Sequence, residues 1–88
     1  MVGSVPFPYR MNIDTAIDKA RKRKRLPEPA TRRSLRQDAG LSQAQIAAAL
    51  GVSAPAVSRW ESGRRDPSDA HLDAYAAVLK RLAEEAGL

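Results

Sequence analysis

LSQAQIAAALGVSAPAVSRWESG fills residues 41–63 and holds two helix starts and two helix stops. Ser42 opens the first helix, because a serine hydroxyl accepts from an otherwise unpartnered N–H of the first turn. Gln45, three residues on, completes a capping box. Ile46, Ala47 and Leu50 recur at helical spacing and form that helix's buried face. Gly51 ends it, since a left-handed cap favours a residue without Cβ. Ser53 opens the second helix, with Pro55 inside its first turn, where a missing N–H has no helical partner to lose. Val57 and Trp60 point inward, and Gly63 stops the helix. The result is two short helices around a tight glycine turn. Ala47 must be small because the next helix crosses close to it, and Val52 and Val57 fill the angle between the two.

The punctuation extends outward on both sides. Upstream, Pro29 suits a first helical turn, and a helix carries Leu35 and Ala39 inward to a stop at Gly40. Downstream, Arg64, Arg65, Asp66 and Pro67 form a polar turn. Ser68 or Asp69 caps a last helix with Leu72, Tyr75, Ala76, Leu79 and Leu82 on one face, closed by Gly87. Residues 12–26 read as a further helix, capped by Asn12 or Asp14, with a stripe of Ile13, Ala16, Ile17 and Ala20. Pro27 and Pro29 end it and make 26–28 a stiff hinge. Residues 1–11, with Gly3, Pro6 and Pro8, read as disordered. No segment alternates like a strand. The expected fold is all-α: a compact four- to five-helix bundle, with four helices in 29–86 and one more in front, divided into a basic N-terminal extension over 1–28 and a main domain over 29–88.

Composition narrows the function. Of 88 residues, 16 are alanine, so the core is thin and relies on close helix packing. There is no cysteine and one histidine, which leaves no disulfide, thiolate nucleophile or multi-histidine metal site. No apolar run approaches the ~20 residues of a membrane span, and the first ten residues lack a secretory apolar core. The expectation is a soluble cytoplasmic protein with no cofactor. Residues 1–36 hold ten basic and three acidic residues; residues 37–88 hold five and seven. A basic end on a near-neutral body points to a polyanion, although a solvated tail reads the same way.

Leu35-Arg36, Gly40-Leu41-Ser42-Gln43, Ile46-Ala47, Leu50-Gly51-Val52-Ser53, Val57 through Gly63, Pro67-Ser68, Leu72, Tyr75 and Leu79 keep one unbroken register. In that register residues 33–79 resemble the phage-repressor helix-turn-helix family, the Cro/repressor or xenobiotic-response-element-like type. The resemblance implies a lambda-repressor-like bundle that binds double-stranded DNA, often as a dimer, and lays helix 53–62 in the major groove. The face turned to base edges is then Ser53, Ala54, Pro55, Ser58 and Arg59. Arg59 can donate twice to guanine O6 and N7, Ser58 can donate or accept, and Ala54 and Pro55 offer apolar contact to a thymine methyl. The alternatives for Arg59 are a phosphate contact or a solvated side chain. Many relatives carry a long polar residue at position 54, a pattern this chain departs from. Gln43, Ser62, Arg64 and Arg65 fall at phosphate positions, Gln43 also bracing the reading helix. Arg36 and Glu61 pair internally by the same pattern, as structure and not catalysis.

The run Lys19, Arg21, Lys22, Arg23, Lys24 and Arg25 reads as a basic arm along the phosphates or in a minor groove. A disordered solvated tail, a localisation-like basic string and a helix packing its isoleucines on the body or a second subunit are its other readings. His71 reads as a surface or cap residue. Glu84 and Glu85 are adjacent, point in different directions on a helix, and cannot flank one substrate atom, so no enzyme is expected. The expected function is a repressor-like transcriptional regulator in the phage or bacterial style, monomeric or a homodimer, nucleoid-associated, with no membrane or small-molecule partner. A protein-interaction module, such as an antitoxin or bridging coactivator, is the alternative.

Overall fold

The computed structural model describes residues 8–23 and 26–88, with side chains undescribed at 8–12, 19, 22 and 23. Five helices follow in order: α1 (Pro8–Arg23), α2 (Pro29–Asp38), α3 (Gln43–Leu50), α4 (Ala54–Ser62) and α5 (Asp69–Glu85). No strand occurs among the described residues, as expected of an all-α chain. Helices α3 and α4 pack on each other, and α2 and α5 close around them. The core is Leu26, Leu35, Ile46, Ala47, Val57, Trp60, Leu72, Tyr75, Leu79 and Leu82. Val57 at 0% exposure and Tyr75 at 1% are its most enclosed side chains. The Trp60 and Tyr75 rings lie 4.8 Å apart at 45°, a tilted arrangement that aromatic pairs favour.

The local signals explain where α3 and α4 begin and end. Ser42 Oγ accepts from the Gln45 N–H at 3.0 Å, while Gln45 Oε1 accepts from the Ser42 N–H at 2.8 Å. Both halves of the capping box are therefore made. Gly51 and Gly63 close the two helices with φ of 69° and 77°. At Gly63 a Cβ would also lie 3.3 Å from Pro29 Cγ, so that turn is held by α2 as well as by its own backbone.

Several details depart from the sequence reading. Helix α1 reaches back to Pro8, so residues 8–11 are helical and Asn12 and Asp14 lie inside the helix, where neither caps it. Proline at a first helical position loses only an N–H that has no helical acceptor, which lets the helix start there. Residues 1–7 lie outside the described set. Ala39 is exposed, because α2 ends at Asp38 and Ala39 sits beyond it as the C-cap. The inward face of α2 is instead Arg32, Leu35 and Arg36. Leu26, read as hinge, is buried in the core. Ser68 precedes α5, but its hydroxyl makes no cap bond; Asp69 in the first turn supplies the negative charge that the helix start favours. The α1 stripe packs only in part: α1 meets α5 and Ala20 is half-buried, but Ile13 is 59% exposed and Ile17 47%.

Candidate nucleic-acid interface

The site is built around one carboxylate. Glu61, near the end of α4, is buried. Arg36 on α2 grips it with two hydrogen bonds: Nε donates to Oε2 at 2.6 Å and Nη2 to Oε1 at 2.9 Å. Arg36 Nη1 donates to the Leu41 carbonyl at 2.9 Å. Gln43, the first residue of α3, donates from Nε2 to Glu61 Oε1 at 3.0 Å. Arg33 Nε lies 3.7 Å from the same oxygen. The carboxylate thus joins α2, α3 and α4 at one point. Burial pushes its pKa up, but the hydrogen bonds from Arg36 and Gln43 and the charges of Arg36 and Arg33 outweigh this and hold it below its ordinary value. The hydrogen bond to Glu61 raises the Arg36 pKa against the opposing effect of its own burial.

A second arginine fixes the same end of α4. Arg32 is buried; its Nε donates to the Pro27 carbonyl at 2.7 Å and its Nη1 to the Trp60 carbonyl at 2.9 Å. A cation at the C-terminal turn of a helix meets carbonyls that have no helical partner. Neither Arg32 nor Arg33 carries a role in the sequence reading. For Arg32 a partial signal was present: it shares a helix face with Leu35 and Arg36 at i+3 and i+4.

With its inner side fixed, α4 turns a defined face outward. Ser53, Pro55, Arg59 and Ser62 are exposed, and Ser58 is half-buried. Ala54 is half-buried and packs partly on the core, which leaves Pro55 as the main apolar group at the tip. The Ser53 hydroxyl accepts from the Ala56 N–H at 3.2 Å, and the Ser62 hydroxyl donates to the Arg59 carbonyl at 3.1 Å. Backbone N–H groups of Arg64 and Arg65 donate to that same carbonyl at 3.0 and 3.4 Å. Their side chains emerge exposed just past the helix. Exposed Arg59, Arg64 and Arg65 therefore lie along one end of α4, with Arg33 and Gln43 near its Glu61 side. Trp60 is buried, which removes it as a stacking platform. His71 is half-buried, its ring 6.5 Å from that of Trp60.

In the basic arm, Arg21 is exposed on α1. Lys19, Lys22 and Arg23 belong to α1 but their side chains lie outside the described set, as do Lys24 and Arg25 altogether. Among the described residues no group of His, Asp and Glu is arranged to hold a metal, and no helix is long and apolar enough to cross a membrane.

No curated protein and no solved structure matches the chain. Residues 33–87, more than half of its length, match the helix-turn-helix family. The match spans α2 through α5 apart from the first turn of α2, and so takes in the Glu61 junction and the whole outward face of α4. The chain belongs to the helix-turn-helix family of phage-repressor, Cro/C1-like type, a family of DNA-binding transcription regulators.

Proposed function

We propose that the protein binds double-stranded DNA at specific sequences and acts as a repressor-like regulator by occupying an operator. The observation that carries this reading is the outward face of α4, which bears exposed Ser53, Pro55 and Arg59 while Glu61 fixes the helix from behind. A preset helix loses little conformational freedom on docking. Arg59 reads guanine through O6 and N7; Ser53 and Ser58 hydrogen-bond at base edges; Pro55 and the edge of Ala54 meet a thymine methyl.

Phosphates flank this face. Gln43 donates one amide hydrogen to Glu61 and keeps its second for a phosphate oxygen, beside the free N–H groups at the start of α3. Ser62, Arg64 and Arg65 hold the backbone past the C-terminal end of α4, and Arg33 adds a further cation. Lys19, Arg21, Lys22, Arg23, Lys24 and Arg25 follow the phosphates beyond the reading helix and steepen the salt dependence. A two-fold homodimer reads half-sites about 34 Å apart. This activity needs no cofactor, no catalytic group and no membrane.

Selection of bound sequences from random duplex at moderate salt tests the reading. An enriched motif containing guanine is expected, and in Arg59→Ala its preference at that position relaxes by about 1–3 kcal/mol. Recovery of no motif by the intact chain contradicts specific readout and leaves the protein-interaction module in its place.

A further inference from the structure

Two apolar surfaces of the described chain are open to solvent. The first is the α1 stripe, where Ile13 and Ile17 are 59% and 47% exposed and share one face at i, i+4. The second is an open groove between α2 and α5 of about 790 Å³. Leu26, Thr31, Ala76, Ala77 and Ala83 line it, beside Lys80. No described residue of α1 lines that groove, so the isoleucines do not fill it from their own chain.

The shape of the molecule agrees. It measures 56 × 27 × 18 Å with a radius of gyration of 16.0 Å, against about 12 Å for a compact chain of this length. Helix α1 extends from the bundle and meets it at α5, while Ile13 and Ile17 stay open to solvent. Charge also matches: α1 carries five basic and two acidic residues, α5 four acidic and two basic. The two helices are of similar length, 16 and 17 residues, or roughly 25 Å each.

We propose that α1 of one copy lies in the α2–α5 groove of a second copy, with Ile13 and Ile17 seated against Ala76, Ala77 and Ala83. The exchange is reciprocal, so each copy supplies one helix and one groove. The proposal names the surface of the two-fold dimer invoked above and rests on that dimer, not on DNA contact. Two exchanged helix faces of this length bury on the order of 1,000 Å², near the lower bound of a specific interface. The dimer is therefore expected to dissociate on dilution. It also covers the apolar stripe while leaving the outward face of α4 free.

Sedimentation equilibrium of the full chain, without DNA, reads the association. A reversible monomer–dimer equilibrium is expected. The double substitution Ile13→Asp with Ile17→Asp and, separately, Ala77→Arg each weaken it by about tenfold or more. All three positions are exposed, so the circular dichroism of the bundle should persist. The chain has no cysteine, which permits a second measurement with an Ile17→Cys chain mixed with an Ala77→Cys chain. Oxidation should join one chain of each kind. A monomer at every concentration overturns the proposal. So does a dimer indifferent to both sets of substitutions. A disulfide forming only inside a chain that carries both cysteine substitutions overturns it as well, by placing α1 in its own groove. None of these results touches the reading of α4, which the DNA selection tests on its own.

Discussion

Glu61 holds the reading helix because side chains from α2 and α3 both end on its two oxygens. Removing its charge leaves Arg36 enclosed with no counter-charge, and breaking such a pair costs about 3–5 kcal/mol. Glu61→Gln keeps part of the hydrogen bonding, so thermal or urea unfolding should report a loss near the lower end, about 3 kcal/mol. An unchanged midpoint would show that the pair does not stabilise the fold. The sign of the acid dependence follows from the depressed carboxylate. Between the folded and unfolded pKa values the unfolded chain binds the extra proton, so stability falls as pH drops through that interval. It is fully present above the ordinary carboxylate range, and Glu61→Gln should flatten the acid limb. At the other extreme burial, followed by the charge of Glu61, pushes the Tyr75 phenol from 10.0 up to about 12. The unfolded chain releases that proton first, so stability should decline again above pH 10, and Tyr75→Phe should remove this decline. Arg59, by contrast, is exposed and makes no side-chain bond across the bundle among the described residues. Arg59→Ala should leave the melting temperature almost unmoved while altering sequence preference.

At the scale of the element, the two glycine turns differ in a way that can be measured. Both need a positive φ, which costs a residue with Cβ about 1–2 kcal/mol. A Cβ on Gly51 would meet nothing within 4 Å, whereas one on Gly63 would press on Pro29 at 3.3 Å. Gly63→Ala should therefore destabilise more than Gly51→Ala in the same denaturant titration. Equal losses would mean that α2 does not constrain the end of α4. The same contrast explains what could be read from sequence. Helices α3 and α4 were legible because their starts and stops are local, set by Ser42 with Gln45, by Ser53, and by the two glycines. The inward positions Val57 and Trp60 followed from helical period alone. Leu26 was not legible, because its burial depends on where α2 and α5 stand, and the prolines around it signal only a chain break. Arg32 was missed for a related reason. An arginine is normally placed at the surface, and the two carbonyls that make its burial tolerable belong to Pro27 and Trp60, one of them 28 residues away. Gln43 and Arg33 meet Glu61 only once three helices are assembled.

Across the whole molecule, the charge divides along the chain: the first 36 residues are strongly basic and the remainder slightly acidic. If the arm follows phosphates, removing residues 1–25 should weaken binding and make the salt slope shallower by about 0.9 per lost phosphate contact. The selected motif should stay the same. A changed motif would place the arm at base edges, and an unchanged slope would make it a solvated tail. The truncation also removes α1, so it should abolish the exchanged dimer, and sedimentation of the truncated chain separates the two contributions. Docking of α4 in the major groove is tested most directly by methylation interference on the selected duplex, because N7 of guanine is reached only from that groove. Methylation of one guanine in each half-site should block the intact chain, and the block should vanish with Arg59→Ala. Interference confined to adenine N3, on the minor-groove side, or a guanine pattern unaltered by Arg59→Ala, would contradict the placement of this helix.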